Sequence, residues 1–546
     1  MKKRNVFVPS DISPSDIPYL LRHCAEQLFA QAKVSTCGHL LEDLCPTQDY
    51  RSFFVTHPEL FLQTYEYHEG RDTLGLLYQS LCDIKSRKHS GSFYTPASVT
   101  EKLITQHLPT DAASTYFDPS CGTGIFLLQL PSSVPLHHLY GNDLNPLCVT
   151  LTRINLALKY HVATKEELDI LYRNITVSDY LTYTGKQFDV ILGNPPWGAA
   201  LSEKQKQDYR NRFSCAPKKG TEVFDLFIEQ SISLLSPDGI LSFVLPEAVL
   251  TVKMHQPVRA LLGKSCTALS VEYLGDVFRD VYCPSIIFTL KKTDTPVFYQ
   301  NTKVSRAHHT HIIKERPLPA DFTAFSFSLS DEEYALLHKI RQTPNCVTLK
   351  GNASFALGIV TGNNDALLTD SPAEGFEPVI KGKDISKYHI DSYSGYLRFC
   401  PESFNQTAPE HLYRAKEKLF YRFINRQLIF AYDTTGLLSL NSCNIVIPQF
   451  DGLSVKYVMA ILNSSVARFI FEKQFASVKV LRSHLEAIPI PVADNLLHDR
   501  IVSMVDILLR EEKESRKYQT TFSALDQLIF EIFGLNEEEC SMLSRG

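Results

Sequence analysis

The chain has 546 residues, a formal net charge of −5, and is 44% hydrophobic and 21% charged. That length exceeds what one hydrophobic core serves, so two or three domains are expected, of ordinary globular composition. The charge balance excludes a uniformly basic nucleic-acid coat but leaves room for a local basic surface.

No run approaches the roughly eighteen apolar residues of a membrane helix, and the first residues, MKKRNVFVPSDISPSD, lack a signal peptide's apolar core. The 13 cysteines contain no CxxC pair, which argues against a disulfide framework and a zinc site alike. A reduced, cytoplasmic protein without membrane or metal partner is the expectation.

In chain order, residues 1–88 read as a helical region, with apolar periodicity through LRHCAEQLFAQA and LGLLYQSLCDIKSRK. Over 89–300 short β-rich runs alternate with helical patterns: TYFD, HLYGND, NITVSD, FDVILGN, GILSFVLP, VEYLGDV and SIIFTLKK. This is the texture of an α/β, doubly wound, mostly parallel sheet. The pattern fades after Lys292, and 301–339 read as a connector leading out of the sheet. Residues 340–490 form a mixed, aromatic-rich α+β segment, and 491–546 are helical again.

The first strand of the sheet ends in Asp118-Pro119-Ser120-Cys121-Gly122-Thr123-Gly124. Glycines at a strand-to-helix turn let backbone approach a ligand. The spacing fits neither GxGxxG nor GxxxxGK[ST], and the opening carboxylate would repel a pyrophosphate. It suits instead the cationic methionine end of S-adenosylmethionine (SAM). Asp143, closing the second strand, can accept the ribose hydroxyls of such a nucleoside through charge-assisted bonds of roughly 1.5–3 kcal/mol. Asp179, closing the third, can accept from an adenine amino group. Either aspartate alone reads more readily as a solvated loop residue or a helix cap. Their recurrence at the carboxyl ends of successive strands is what points to a ligand.

The fourth strand runs into Asn194-Pro195-Pro196-Trp197. An exocyclic amine on adenine is a poor nucleophile because its lone pair is delocalised into the ring. The Asn194 side-chain oxygen and the Pro195 carbonyl can each accept one N–H of that amine and favour a pyramidal nitrogen. The prolines stiffen the turn. Trp197 offers a face for stacking an extruded base, worth roughly 1–3 kcal/mol, against the few kcal/mol that flipping requires.

These residues together resemble the gamma class of amino-methyltransferases. They are most similar to the adenine-specific DNA methylases of type II (IIG-like) restriction-modification systems with a fused C-terminal specificity domain. The order is shared: Gly91-Ser92-Phe93-Tyr94-Thr95-Pro96, then DPSCGTG, the ribose aspartate, NPPW, and a recognition domain last. The resemblance implies a Rossmann-like SAM-dependent methyltransferase sheet. It implies methyl transfer from SAM to N6 of an adenine flipped out of double-stranded DNA. By it, Thr95 would touch the methionine carboxylate, Asp118 and Ser120 its amino end, and Asp143 the ribose. Asp179 and Phe227 would hold the adenine ring, and Phe278 would be a second aromatic on the flipped base. GIVTGNNDALL, VIKGKDISKY and AILNSSVARFIF are similar to the family's specificity domain.

Residues 381–426 hold nine Lys/Arg against five Asp/Glu, with aromatics interleaved as in YRAKEKLFYRFINR. Lys381, Lys383, Arg414, Lys418, Arg422 and Arg426 are the expected DNA contacts. The competing reading of that string is an ordinary amphipathic helix. No nuclease motif stands on a strand near the N-terminus. Glu511-Glu512-Lys513 matches the string ExK but reads as a solvated helix face. The partner would be a separate cognate restriction endonuclease, or none. Two alternatives remain open: a methyltransferase of RNA bases or protein glutamine, and a non-catalytic DNA-binding subunit on a decayed methylase fold.

Overall fold

A nine-stranded sheet organises the first of two units in this computed structural model, which describes residues 12–35, 37–82, 94–108, 110–216, 220–278, 283–307, 309–475 and 478–544. The units are Met1–Asp331 and Glu332–Gly546. The strands are β1 (Tyr116–Asp118), β2 (Leu139–Asp143), β3 (Ile175–Val177), β4 (Phe188–Gly193), β5 (Leu235–Pro246), β6 (Cys266–Gly275), β7 (Ser285–Lys292), β8 (Tyr299–Arg306) and β9 (His309–Arg316). Their order is β3-β2-β1-β4-β5-β7-β6-β8-β9. The first five run parallel, β7 pairs antiparallel with both β5 and β6, and β8 runs parallel to β6. Order reverses between β1 and β4, and a crevice opens at their carboxyl ends where open α/β sheets bind ligands.

The sheet forms where the sequence is apolar on both faces: β1 is buried throughout, and β4 buries Phe188, Val190, Ile191 and Leu192. The expected connector over 301–339 is corrected by the structure. Most of β8 and all of β9 fall in its first part and extend the same sheet. Alternation explains the difference: Thr302, Val304 and Ile313 are buried while Lys303, His309 and Lys314 face outward. A half-exposed edge hairpin rich in His and Lys reads locally like a loop.

The helical segment before the sheet shares the sheet's core. Leu21, Cys24 and Leu28 of helix Ile17–Ala32, and Leu74 and Leu77 of helix Thr73–Leu81, pack in one buried cluster with Phe117 of β1 and Ile154 of helix Pro146–Tyr160. A cluster of Leu20, Tyr50, Phe53, Phe54 and Leu60 closes the outer side.

The second unit contains two four-stranded sheets. One orders Ala353–Ala356, Cys443–Pro448, Lys418–Arg422 and Phe430–Asp433, all antiparallel. The other orders Leu368–Thr369, Gly395–Leu397, Glu377–Ile380 and Leu438–Ser439. Val379, Ile380, Leu397, Phe420, Leu438 and Ile445 meet in a common core. Helices Asn495–Arg510, Arg516–Ile532 and Glu537–Ser544 complete the unit. The string Glu511-Glu512-Lys513 lies in the turn between the first two of these, not within a charged helix; Lys513 pairs with Asp391 and Lys517 with Glu511. Among the described residues no helix is long and apolar enough to cross a membrane, and no group of three or more potential ligand side chains could hold a metal ion.

Candidate active site

β1 ends at Asp118, and the chain turns through Gly122 and Gly124 into helix Ile125–Gln129. Both glycines take left-handed φ, 53° and 87°. A β-carbon at Gly124 would press on Thr152 Cγ2 at 2.9 Å, whereas one at Gly122 would meet nothing within 4 Å. The turn therefore packs on its Gly124 side and is open on its Gly122 side. Asp118 is fully buried: Oδ1 accepts from the Ser120 amide at 3.1 Å, and Oδ2 has no hydrogen-bond partner among the described residues. Burial, reinforced by the nearby Asp143 charge, pushes its carboxyl up to about 8. Gly193 at the end of β4 has φ 147°, and a β-carbon there would lie 2.6 Å from Asp118 Oδ1. Glycine at 193 is what lets the two strand ends approach.

Asp143 is held in place by the same turn. Its Oδ2 accepts from the Gly122 amide at 2.9 Å and its Oδ1 from the Asn145 amide at 2.8 Å. Burial raises its pKa, while the backbone N–H groups it accepts from act in the opposite direction. The next residue, Leu144, is 70% exposed, an apolar surface that patterning did not single out. Asp179 Oδ1 accepts from the Leu181 amide at 3.0 Å and so caps the single turn Tyr180–Thr182. Phe227, on helix Val223–Leu234, is buried against Tyr180 with ring centroids 4.9 Å apart.

Asn194 follows β4 directly. Its side-chain Nδ2 donates to Thr95 Oγ1 at 3.0 Å, and its main-chain carbonyl accepts from Ser120 Oγ at 3.1 Å. Two expected cofactor residues thus also grip the expected catalytic one. Trp197 and Phe278 are both buried and meet edge to face, centroids 4.9 Å apart at 79°. The sequence reading brought them together around a base; here they touch each other. Gly91, Ser92 and Phe93 lie outside the described residues.

Residues that sequence reasoning missed underlie this arrangement. Asp72, Tyr94, Thr123 and Asn155 form a buried network beneath the Gly122–Gly124 turn. Asp72 alone, ahead of LGLL, signals only a helix cap, which it also is.

A carboxylate with a bare buried oxygen at a glycine turn, two further aspartates and an asparagine-proline-proline-aromatic turn stand at the carboxyl ends of four neighbouring parallel strands. The family described as N-6 DNA Methylase matches residues 69–325, and the family described as TaqI-like C-terminal specificity domain matches 377–490. The chain therefore carries an N-6 DNA methylase domain followed by a TaqI-like specificity domain. The first of these domains is that of DNA adenine-N6 methyltransferases, a SAM-dependent family, as the resemblance implied. The chain is 27% identical over 318 residues to "Type II methyltransferase M.VspI" from Vibrio sp. (strain 343), covering 57% of this chain and 74% of that one. To "Modification methylase CviBIII" from Paramecium bursaria Chlorella virus NC1A it is 27% identical over 184 residues, covering 33% of this chain and 43% of that one. The solved type IIL restriction-modification enzyme MmeI in complex with DNA shares the fold, with a TM-score of 0.57 at 12% identity. That match covers 98% of this chain and 100% of that one.

In the methylase's specificity domain the expected DNA contacts divide. YRAKEKLFYRFINR forms no long helix; its centre is the strand Lys418–Arg422. Two expectations are corrected. Lys418 is fully buried, directly opposite Asp433 in the strand register, and its Nζ donates to Asp433 Oδ2 and the Tyr413 carbonyl, both at 2.6 Å. Arg414 is turned onto Glu377 by a two-pronged pair at 2.5 and 2.7 Å. Arg422 is half-buried and donates to the Ile385 carbonyl at 2.6 Å. Lys383 and Arg426 are exposed, and Lys381 is half-buried at the start of the Gly382–Asp384 turn.

Proposed function

We propose that the methylase binds SAM across Asp118, Ser120, Gly122, Asp143, Asp179 and Phe227 and methylates an adenine rotated out of double-stranded DNA into the Asn194–Trp197 turn. The observation that carries this reading is Asn194. Its amide nitrogen is engaged by Thr95 and its backbone by Ser120, so the side-chain oxygen is the atom oriented to accept an amine N–H.

The cofactor fits the residues present. The bare Asp118 Oδ2 suits an ammonium group, which would return the carboxyl to its ionised form. The Asp143 carboxylate suits a ribose diol, and exposed Leu144 offers an apolar face to an adenine ring. The Thr95 hydroxyl, while accepting from Asn194, keeps its own proton to donate to the methionine carboxylate. SAM, when bound, supplies an electrophilic methyl on a sulfonium: the nitrogen–carbon bond forms as the carbon–sulfur bond breaks.

Asn194 Oδ1 and the Pro195 carbonyl accept from the target amine and stabilise the positive charge it gains. The attached proton then leaves to solvent. Trp197 and Phe278 receive the base. Lys381, Lys383, Arg422 and Arg426 contact phosphates and groove edges. The setting is cytoplasmic restriction-modification, with a cognate endonuclease as a separate protein; that one relative is named a modification methylase supports this role.

The test is methyl transfer from labelled SAM to duplex DNA, followed by digestion to nucleosides. Label in N6-methyl-2′-deoxyadenosine is expected. Label in a cytosine derivative, or transfer only to RNA or protein, would replace this reading with one of its alternatives.

A further inference from the structure

Asp72 belongs to none of the motifs that carry the chemistry, yet it touches two of them. It caps helix Thr73–Leu81 and is 3% exposed. Its Oδ1 accepts from the Gly75 amide at 2.7 Å and from Asn155 Nδ2 at 2.8 Å. Its Oδ2 accepts from Thr123 Oγ1 at 2.5 Å and from Tyr94 OH at 3.2 Å. Four donors converge on one buried carboxylate, enough to saturate both oxygens. Asn155 Nδ2 also donates to the Thr123 carbonyl at 2.8 Å, which fastens that loop residue a second time.

Each Oδ2 donor leads to a different half of the site. Thr123 lies in the Asp118–Gly124 cofactor turn. Tyr94 immediately precedes Thr95, which accepts from Asn194 Nδ2, and Ser120 of the cofactor turn donates to the Asn194 carbonyl. The bonds run in a ring: Asp72 to Tyr94, along the chain to Thr95, across to Asn194, to Ser120, along the turn to Thr123, and back to Asp72. Packing tells the same story independently. Gly75 is helical, where alanine is ordinarily favoured over glycine. A β-carbon there would lie 2.0 Å from Asp72 Oδ2 and 2.4 Å from Thr123 Oγ1.

We infer that Asp72 is a positioning residue that sets the register of the cofactor turn against the catalytic Asn194 turn, acting through Thr123 on one side and through Tyr94 and Thr95 on the other. It touches neither cofactor nor base. The inference rests on the proposed placement of SAM and adenine at these two turns. Its consequence is a division of labour between hydroxyls 29 positions apart in sequence. Loss of the Thr123 arm loosens cofactor binding, loss of the Tyr94 arm slows transfer, and loss of the carboxylate does both.

The experiment uses the full chain with Thr123→Val, Tyr94→Phe, both together, and Asp72→Asn. The readouts are melting temperature, SAM affinity by calorimetry, Trp197 emission and single-turnover methylation of duplex DNA. Asp72→Asn can keep its Oδ1 contacts and reverses polarity only toward the two hydroxyls. Thr123→Val should weaken SAM binding by about ten-fold, the size of a lost charge-assisted bond, with a smaller effect on transfer. Tyr94→Phe, which reaches the cofactor only through Thr95, should weaken SAM binding clearly less than Thr123→Val does. It should slow transfer by about 10- to 100-fold, as small misplacements of a catalytic group do, and shift Trp197 emission. Asp72→Asn should match the double variant.

Single variants with wild-type affinity, rate and emission would overturn the assignment. So would losses confined to melting temperature, which mark a merely structural carboxylate. If Asp72→Asn does not fold, the two single variants decide. If the wild-type chain itself transfers nothing to adenine, the functional reading fails, and the SAM-affinity and emission arms still decide the role of Asp72.

Discussion

Asn194 Nδ2 and Thr95 Oγ1 lie 3.0 Å apart across 99 residues of sequence, joining the segment proposed to reach SAM to the turn proposed to hold the target amine. Donation from the nitrogen to a fixed hydroxyl sets the amide plane and turns the side-chain oxygen the other way. Thr95 is 3% exposed, so the orientation is set inside the protein and not by solvent. Thr95→Val, which removes the acceptor at equal size, should lower the transfer rate by about 10- to 100-fold. Thr95→Ser should restore most of it. Single-turnover kinetics check this, and a Val variant with wild-type rate would remove Thr95 from the positioning of Asn194.

Asp118 gives a pH signature. Its carboxyl titrates at about 8 in the ligand-free protein, far above its ordinary range, because it is buried beside Asp143. The stability this group contributes is therefore fully present below pH 4 and lost as pH rises through about 8. A bound ammonium reverses the preference and displaces the proton. SAM affinity should rise with pH by up to about ten-fold per unit between pH 6 and 8. Asp118→Asn should bind weakly and without that slope. Calorimetry in buffers of different ionisation enthalpy reads the released proton; a flat profile in the wild type would contradict the ammonium site.

Asp143→Ala removes two backbone bonds as well as the ribose acceptor. SAM affinity should fall by roughly ten-fold or more, while affinity for duplex DNA stays unchanged. Equal SAM affinity in the two proteins would move the ribose elsewhere.

The Trp197–Phe278 pair predicts a rearrangement. Two ring faces that enclose a base must stand about 7 Å apart, twice the carbon contact distance of about 3.5 Å. The observed edge-to-face contact at 4.9 Å leaves no such slot. Trp197 is the chain's single tryptophan, so its emission reports this turn alone. Duplex DNA carrying the recognition site, with a non-reactive SAM analogue, should shift that emission. The same duplex with an abasic target should shift it far less. Equal shifts would show that no base enters the turn.

The specificity domain separates charges that read alike in sequence. Lys383→Ala or Arg426→Ala should weaken DNA binding on all sequences and reduce the salt slope by about one. Lys418→Ala should instead destabilise the domain, by roughly 3–5 kcal/mol, because it strands buried Asp433. Salt titrations and denaturant melts distinguish the two.

The sheet and its strand ends were legible because β4, β5 and β7 carry buried apolar runs and β1 to β4 close on aspartate or glycine turns. β8 and β9 were not, since an exposed edge hairpin alternates polar residues that mimic a loop. Lys418 and Arg414 were misread because sequence shows a charge and not its partner: Asp433 and Glu377 reach them only through strand pairing and tertiary contact. Asp72 stayed hidden for a related reason. A lone carboxylate before a helix is a sufficient cap, and the Thr123 and Tyr94 hydroxyls that converge on it are 51 and 22 residues away.

The central claim is that this chain alone methylates adenine in DNA through Asn194. Long-read sequencing of DNA from cells expressing the wild type or Asn194→Ala, in a host without adenine methylation, measures it directly. N6-methyladenine at one recurring sequence with the wild type, and a loss of about 10²-fold or more with Asn194→Ala, is the predicted result. Unmodified adenines with the wild type, or equal modification with both proteins, would contradict it.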